Sequence, residues 1–127
     1  MKKKLFILTL IGLISATSAY AKCDGGEEVT NTAGTTFCKS NVSMNWWSAA
    51  AWCKANDLQL ATMYEMCPSW DGNTGYKCPE LAKSKDIRTW SATAYDIDRV
   101  FAVSLNQGNV GLAYRNDIGY EGHAFCR

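Results

Sequence analysis

Apolar positions follow three different patterns along the chain. Leu5 to Ile14 is a nearly unbroken apolar run behind Lys2-Lys3-Lys4. Farther on, Trp46, Ala49, Ala50 and Cys53 recur at i, i+3, i+4 and i+7, which is one face of a helix. Ser43 or Asn45 fits its N-cap, and Asn56-Asp57 fits its end. In the last third the period falls to two. Val100, Ala102 and Ser104 alternate with Phe101, Val103 and Leu105, as on a strand with two distinct faces.

The remaining elements follow from shorter signals. Glu28-Val29-Thr30 and Thr35-Thr36-Phe37 are β-prone and flank the turn residues Asn31-Thr32-Ala33-Gly34, so residues 22–39 read as a hairpin. Tyr64-Glu65-Met66-Cys67 reads as a short second helix. Residues 68–79 are rich in turn formers and read as an excursion. Ile87 to Ser91 is a strand, and Asn106-Gln107-Gly108-Asn109 turns the chain into a return strand over Val110 to Arg115. A loop over 116–122 leads to a closing strand, His123 to Cys126. No internal repeat or low-complexity linker interrupts the sequence.

The first pattern is a targeting signal rather than part of the fold. Its basic head and short apolar stretch are followed by small residues ending Ala19-Tyr20-Ala21, which predicts cleavage after Ala21. The apolar stretch is short for a membrane span, so contact with a membrane is expected only before cleavage. Lys22 directly precedes Cys23, a position where a lipid-attachment site needs a small residue. The expected organisation is a signal peptide over 1–21 and one domain over 22–127. The basic start and short apolar segment have a bacterial look, and the destination is the periplasm or the medium.

Composition narrows the functional classes. Residues 22–127 hold ten Lys and Arg against twelve Asp and Glu, a net charge of −2. That balance lacks the basic stripe of a nucleic-acid binder. An apolar content of 47% is too high for disorder. His123 is the only histidine, which excludes a multi-histidine metal centre or a two-histidine mechanism. All six cysteines (Cys23, Cys38, Cys53, Cys67, Cys78, Cys126) lie in the exported part. An even number in a small exported domain reads as a set of disulfides. Zinc sites favour cysteines two to four residues apart, a spacing that no pair here shows. Spacing alone does not choose among the many pairings open to six cysteines.

The order of these elements resembles the C-type lectin-like domains. The helix Trp46-x-x-Ala49-x-x-x-Cys53 and the following Leu58-x-Leu60-Ala61-Thr62-x-x-Glu65 are similar to that family's first helix and the strand start after it. Trp90-Ser91-Ala92-Thr93-x-Tyr95-Asp96 resembles a segment of a bacterial branch. That branch continues, as here, with an aromatic strand, a glycine turn and a final Phe125-Cys126-Arg127. The resemblance covers about residues 37–127. It implies an α+β fold: an N-terminal hairpin, one main helix, a short second helix and a small antiparallel sheet, stapled by disulfides. It also implies that Cys53 pairs with Cys126 and Cys23 with Cys38. The local pair left over is Cys67 with Cys78, outside the common family pattern. The family's further bridge near the last strands has no cysteines here.

Calcium-dependent sugar binders of that family carry a Glu-Pro-Asn or Gln-Pro-Asp tripeptide and a Trp-Asn-Asp tripeptide. The first is absent, and Arg115-Asn116-Asp117 only partly echoes the second. Asn116-Asp117 also serves as ordinary turn chemistry. The expectation is therefore no resident cofactor. Were calcium held, its many oxygen ligands would come from Asp96, Asp98, Asn116, Asp117 and Glu121.

Aromatic side chains in or beside loops offer a second route to binding, since an exposed ring stacks on a sugar or anchors a protein. Trp70, Tyr76, Tyr95, Tyr114 and Tyr120 are so placed, while Trp46 and Trp90 read as core. The candidate ligand-binding set is Trp70, Tyr95, Asp96, Asn116, Asp117 and Tyr120. No catalytic set emerges: a glycosidase needs two convergent carboxylates in a cleft, and short loops leave little room for one. The expected function is a non-enzymatic module of the cell envelope or the medium that recognises a glycan or a protein through its loops. The alternative is a structural or assembly subunit of a bacterial surface structure.

Overall fold

The computed structural model describes residues 23–81, 87–117 and 119–127. The expected signal peptide lies outside the described residues. Eight elements follow in order: β1 (Gly26–Thr30), β2 (Thr36–Met44), α1 (Trp46–Ala55), α2 (Met63–Met66), β3 (Arg88–Ala94), β4 (Arg99–Ser104), β5 (Asn109–Tyr114) and β6 (Gly122–Cys126).

The sheet corrects the expected fold class. All six strands join in one sheet of order β1-β2-β6-β3-β4-β5. The sheet is mixed, because β6 pairs antiparallel with β2 but parallel with β3. Helix is confined to ten residues in α1 and four in α2. The molecule is thus mostly β, and not an α+β domain with a small antiparallel sheet. The physical reason lies in β6. Its strand runs between the N-terminal hairpin and the β3–β5 meander and bonds to both, so two separate small sheets become one. β2 adds to this by running nine residues, far beyond the three that its local sequence predicts.

The two helices are set by their caps. Asn45 caps α1, its Oδ1 accepting the Ser48 N–H at 2.8 Å. The helix ends at Asn56, and Asp57 then takes a positive φ of 60°. Thr62 and Glu65 form a reciprocal capping box on α2, with Thr62 N–H donating to Glu65 at 2.8 Å and Glu65 N–H to Thr62 Oγ1 at 3.2 Å.

Alternation along β4 splits the core into two layers. Val100 and Ala102 pack with Ala49 and Cys53 of α1, Trp90, Ala124 and Cys126. Phe101 and Val103 pack with Met63 and Met66 of α2, Phe37, Phe125 and the segment from Cys67 to Leu81. Disulfides tie the layers down: Cys23–Cys38, Cys53–Cys126 and Cys67–Cys78, with Cα separations of 5.6, 5.5 and 5.8 Å. The first two are the pairings that the family resemblance implies and the third is the local pair left over; together they point to an oxidising environment, extracellular or periplasmic. Among the described residues, no helix is long and apolar enough to cross a membrane.

Candidate functional site

The turn between β3 and β4 is built around one carboxylate. Asp96 Oδ1 accepts the N–H groups of Asp98 and Arg99, at 3.0 and 2.8 Å. Its Oδ2 accepts Arg99 Nε at 2.8 Å and Nη2 at 2.5 Å. This fork of charge-assisted bonds from the Arg99 side chain holds the Asp96 carboxyl below its usual range and raises the Arg99 guanidinium. Tyr95 N–H closes the turn on Arg99 O at 2.9 Å. A short, rigid loop results, with Ile97 at its tip.

Strand register then brings β5 into the same place. Arg99 lies opposite Tyr114. The Arg99 guanidinium sits 4.8 Å from the Tyr95 ring centre and 5.7 Å from that of Tyr114, so one cation lies against both rings. Arg115 locks the loop from the other side. Its backbone N–H donates to Asp98 O at 2.8 Å, and its Nη2 donates to Ile97 O. The same guanidinium lies 5.3 Å from the Trp46 ring at the start of α1. Trp46 in turn meets Trp47 edge to face at 4.8 Å, and Trp47 Nε1–H donates to Asn116 Oδ1 at 2.9 Å.

These contacts form one continuous ridge, Tyr95–Arg99–Tyr114 joined through Ile97–Arg115 to Trp46–Trp47–Asn116. Four large apolar side chains stand out from it: Ile97 is 85% exposed, Tyr114 56%, Trp47 54% and Tyr95 53%. The polar groups between them are already engaged with each other. The ridge is therefore preorganised and offers apolar and aromatic area more than unused hydrogen-bonding groups.

The structure places the sequence candidates unequally. Tyr95, Asp96 and Asn116 meet on the ridge. Asp117 follows in the chain but serves its own loop, Oδ1 accepting the Gly119 N–H at 3.0 Å. Tyr120 lies elsewhere, half-buried against Trp90 at 5.3 Å and under Arg88 at 4.2 Å, and burial raises its phenol pKa. Trp70 is a correction: it is buried in the core and not on a display loop. Its ring packs edge to face on Phe101 at 4.7 Å and against Tyr64 at 5.0 Å, and its Nε1–H is satisfied by Asn73 O at 2.9 Å. The loop folds back over the sheet, so the ring closes one core layer.

Trp47, Ile97, Arg99 and Arg115 were absent from the sequence candidates. A signal for Trp47 existed: it follows Trp46 directly and so falls off the apolar face of α1. Arg99 has a local partner in Asp96, three residues before it, but its second ring, Tyr114, comes from β5, and the ring partner of Arg115 comes from α1. The expected calcium ligands do not converge either. Asp96 is held by Arg99. Among the described residues, the one grouping of three metal-type side chains is Cys67, Cys78 and Glu80, whose sulfurs are bonded to each other. Comparison with protein families, curated proteins and solved structures finds no match to this chain.

Proposed function

We propose that this chain is an exported, non-enzymatic binding module that recognises a protein partner through the Trp47–Tyr95–Ile97–Tyr114 ridge. The observation that carries the reading is the exposure of three aromatics and an isoleucine on a surface held by two arginines. Trp, Tyr and Arg are the residues on which protein interfaces concentrate their binding energy. A rigid loop has little conformational freedom left to lose on binding. A protein is favoured over a glycan at this surface because Asp96, Arg115 and Asn116 already bond within the ridge. The motif resemblance to C-type lectin-like domains supports a binding role in the same direction.

The test is capture of envelope and secreted proteins by the oxidised protein, compared with Trp47→Ala, Ile97→Asp and Tyr114→Ala. Each variant is expected to keep its melting temperature and to lose at least about tenfold in affinity for the captured partner, the loss of an interface hot spot. Undiminished capture by all three variants rejects the ridge. If the captured partner is a second copy, sedimentation of the pure protein will show an oligomer, and the assembly role replaces recognition of another protein.

A further inference from the structure

A second concave site lies away from the ridge, at the end of the sheet where β2, β6 and β3 meet. A cavity of about 300 Å³ is lined there by Ser43, Arg88, Glu121 and His123, together with Ile87 and Ser104. It adjoins one of about 190 Å³ that shares Arg88 and Ser104 and is walled by Tyr120, with Gly111 on its floor. Nothing lies within 4 Å of where a Gly111 side chain would begin, so that floor is open.

Three polar side chains of this site, Arg88, Glu121 and His123, are oriented but not used up. The Arg88 guanidinium is steadied by the Tyr120 ring at 4.2 Å and makes one long bond, Nη1 to Glu121 O at 3.4 Å. Among the described residues, no carboxylate forms an ion pair with it. Its planar fork is the group that binds a carboxylate through two parallel bonds. Glu121 accepts Ser43 Oγ–H on Oε1 at 3.1 Å, which leaves Oε2 as an acceptor. His123 Nδ1 lies 2.6 Å from Ser40 O. A carbonyl only accepts, so Nδ1 carries the hydrogen, and in the tautomer with one ring hydrogen Nε2 is the acceptor.

We propose that this cavity binds an acidic monosaccharide unit, a hexuronate, with its carboxylate on Arg88 and its ring hydroxyls on Glu121 and His123. The combination of one cation that has no carboxylate partner among the described residues with neighbouring acceptors matches one carboxylate beside several hydroxyl donors. The cavity of about 300 Å³ has room for a ring of that size, whereas a free amino acid would leave much of the space unfilled. The site is independent of the ridge, and neither proposal depends on the other.

The test is an NMR titration of the oxidised protein with D-glucuronate and D-galacturonate, against D-glucose, acetate and L-alanine. Saturable shifts of the Arg88 Nε–H and of the Gly122 and His123 amides are expected with the uronates. Glucose and acetate are expected to bind at least about tenfold more weakly. Arg88→Gln is expected to lose about tenfold or more in uronate affinity, the usual weight of a charge-assisted pair. Glu121→Gln, which keeps shape and the Ser43 contact, is expected to lose several-fold. Glu28→Gln, on the exposed face of β1, is expected to bind as the parent does. The proposal is overturned if neither uronate gives a saturable shift, if glucose or acetate binds equally, or if L-alanine binds more tightly. It is also overturned if a folded Glu121→Gln and a folded Arg88→Gln both bind undiminished. Should Arg88→Gln not fold, Glu121→Gln and the ligand series decide alone.

Discussion

Trp70 and Tyr95 occupy similar settings in the sequence, each an aromatic ring beside Asp and turn residues, yet their energetic roles are opposite. Trp70 fills space between Phe101 and Tyr64, so its removal leaves a cavity. Trp70→Ala is expected to cost about 3–5 kcal/mol of stability. Tyr95→Ala removes only a half-exposed ring against Arg99 and Phe101 and is expected to cost less than about 1 kcal/mol. Urea unfolding of the two variants measures the contrast, and similar losses would contradict the placement of both rings. Gly108 is a second residue whose role the local sequence shows only in part. A hairpin glycine was expected there, and its φ of 71° agrees. Tertiary structure adds that a side chain at this position would strike the backbone of Cys78, which also donates its N–H to Gly108 O at 2.8 Å. Gly108→Ala is therefore expected to cost about 1–3 kcal/mol, read from the same unfolding curves.

Elements show how far local signals reach. α1 and its end were legible because a 3.6-residue period and an asparagine cap are both local. The strands β3 to β5 were legible because alternation and a glycine turn are local too. The length of β2 was not, since residues 39–44 become strand only by pairing with β1 and β6. α2 has just four residues and stands on its capping box. Burial tends to raise the Glu65 carboxyl, but the bonds from Thr62 and from Arg127, the latter at 3.0 Å, prevail and hold it below its ordinary value. A carboxylate with a depressed folded-state pKa stabilises above its unfolded pKa and loses that contribution as pH falls through the folded value. The stability gap between the parent and Glu65→Ala should therefore be full at neutral pH. It should narrow in the acid range below the ordinary carboxylate pKa. Thermal melts across that range check it, and a gap that widens on acidification would contradict the shift.

For the whole molecule, the disulfides rank by the length of chain they close. Cys53–Cys126 spans 73 residues of sequence and fixes α1 to β6, the strand that unites the sheet. Cys67–Cys78 spans only 11. Loop entropy alone makes the longer bridge more stabilising by roughly 2 kcal/mol. The Cys53→Ser/Cys126→Ser variant should melt well below Cys67→Ser/Cys78→Ser, and equal midpoints would count against that ranking. Calcium is expected to leave the melt of the oxidised protein unchanged relative to EDTA, because Asp96 is engaged by Arg99 and, among the described residues, no three of the candidate carboxylates come together. A rise of several degrees with calcium would reveal a binding site through linkage.

By itself the sequence determined the capped helix, the alternating strands, the glycine turn and the oxidising chemistry of six cysteines. All of these are written within a few neighbouring residues or in bare composition. Of the candidate site it held Tyr95, Asp96 and Asn116, whose residue types and loop setting are local facts. Tertiary structure alone decided that β6 lies between β2 and β3, which makes one mixed sheet of the whole. It also buried Trp70 and set Arg99 and Arg115 against rings from other elements. The physical reason is the same in each case: strand pairing and side-chain packing join residues tens of positions apart, and no local period encodes which distant partner they meet.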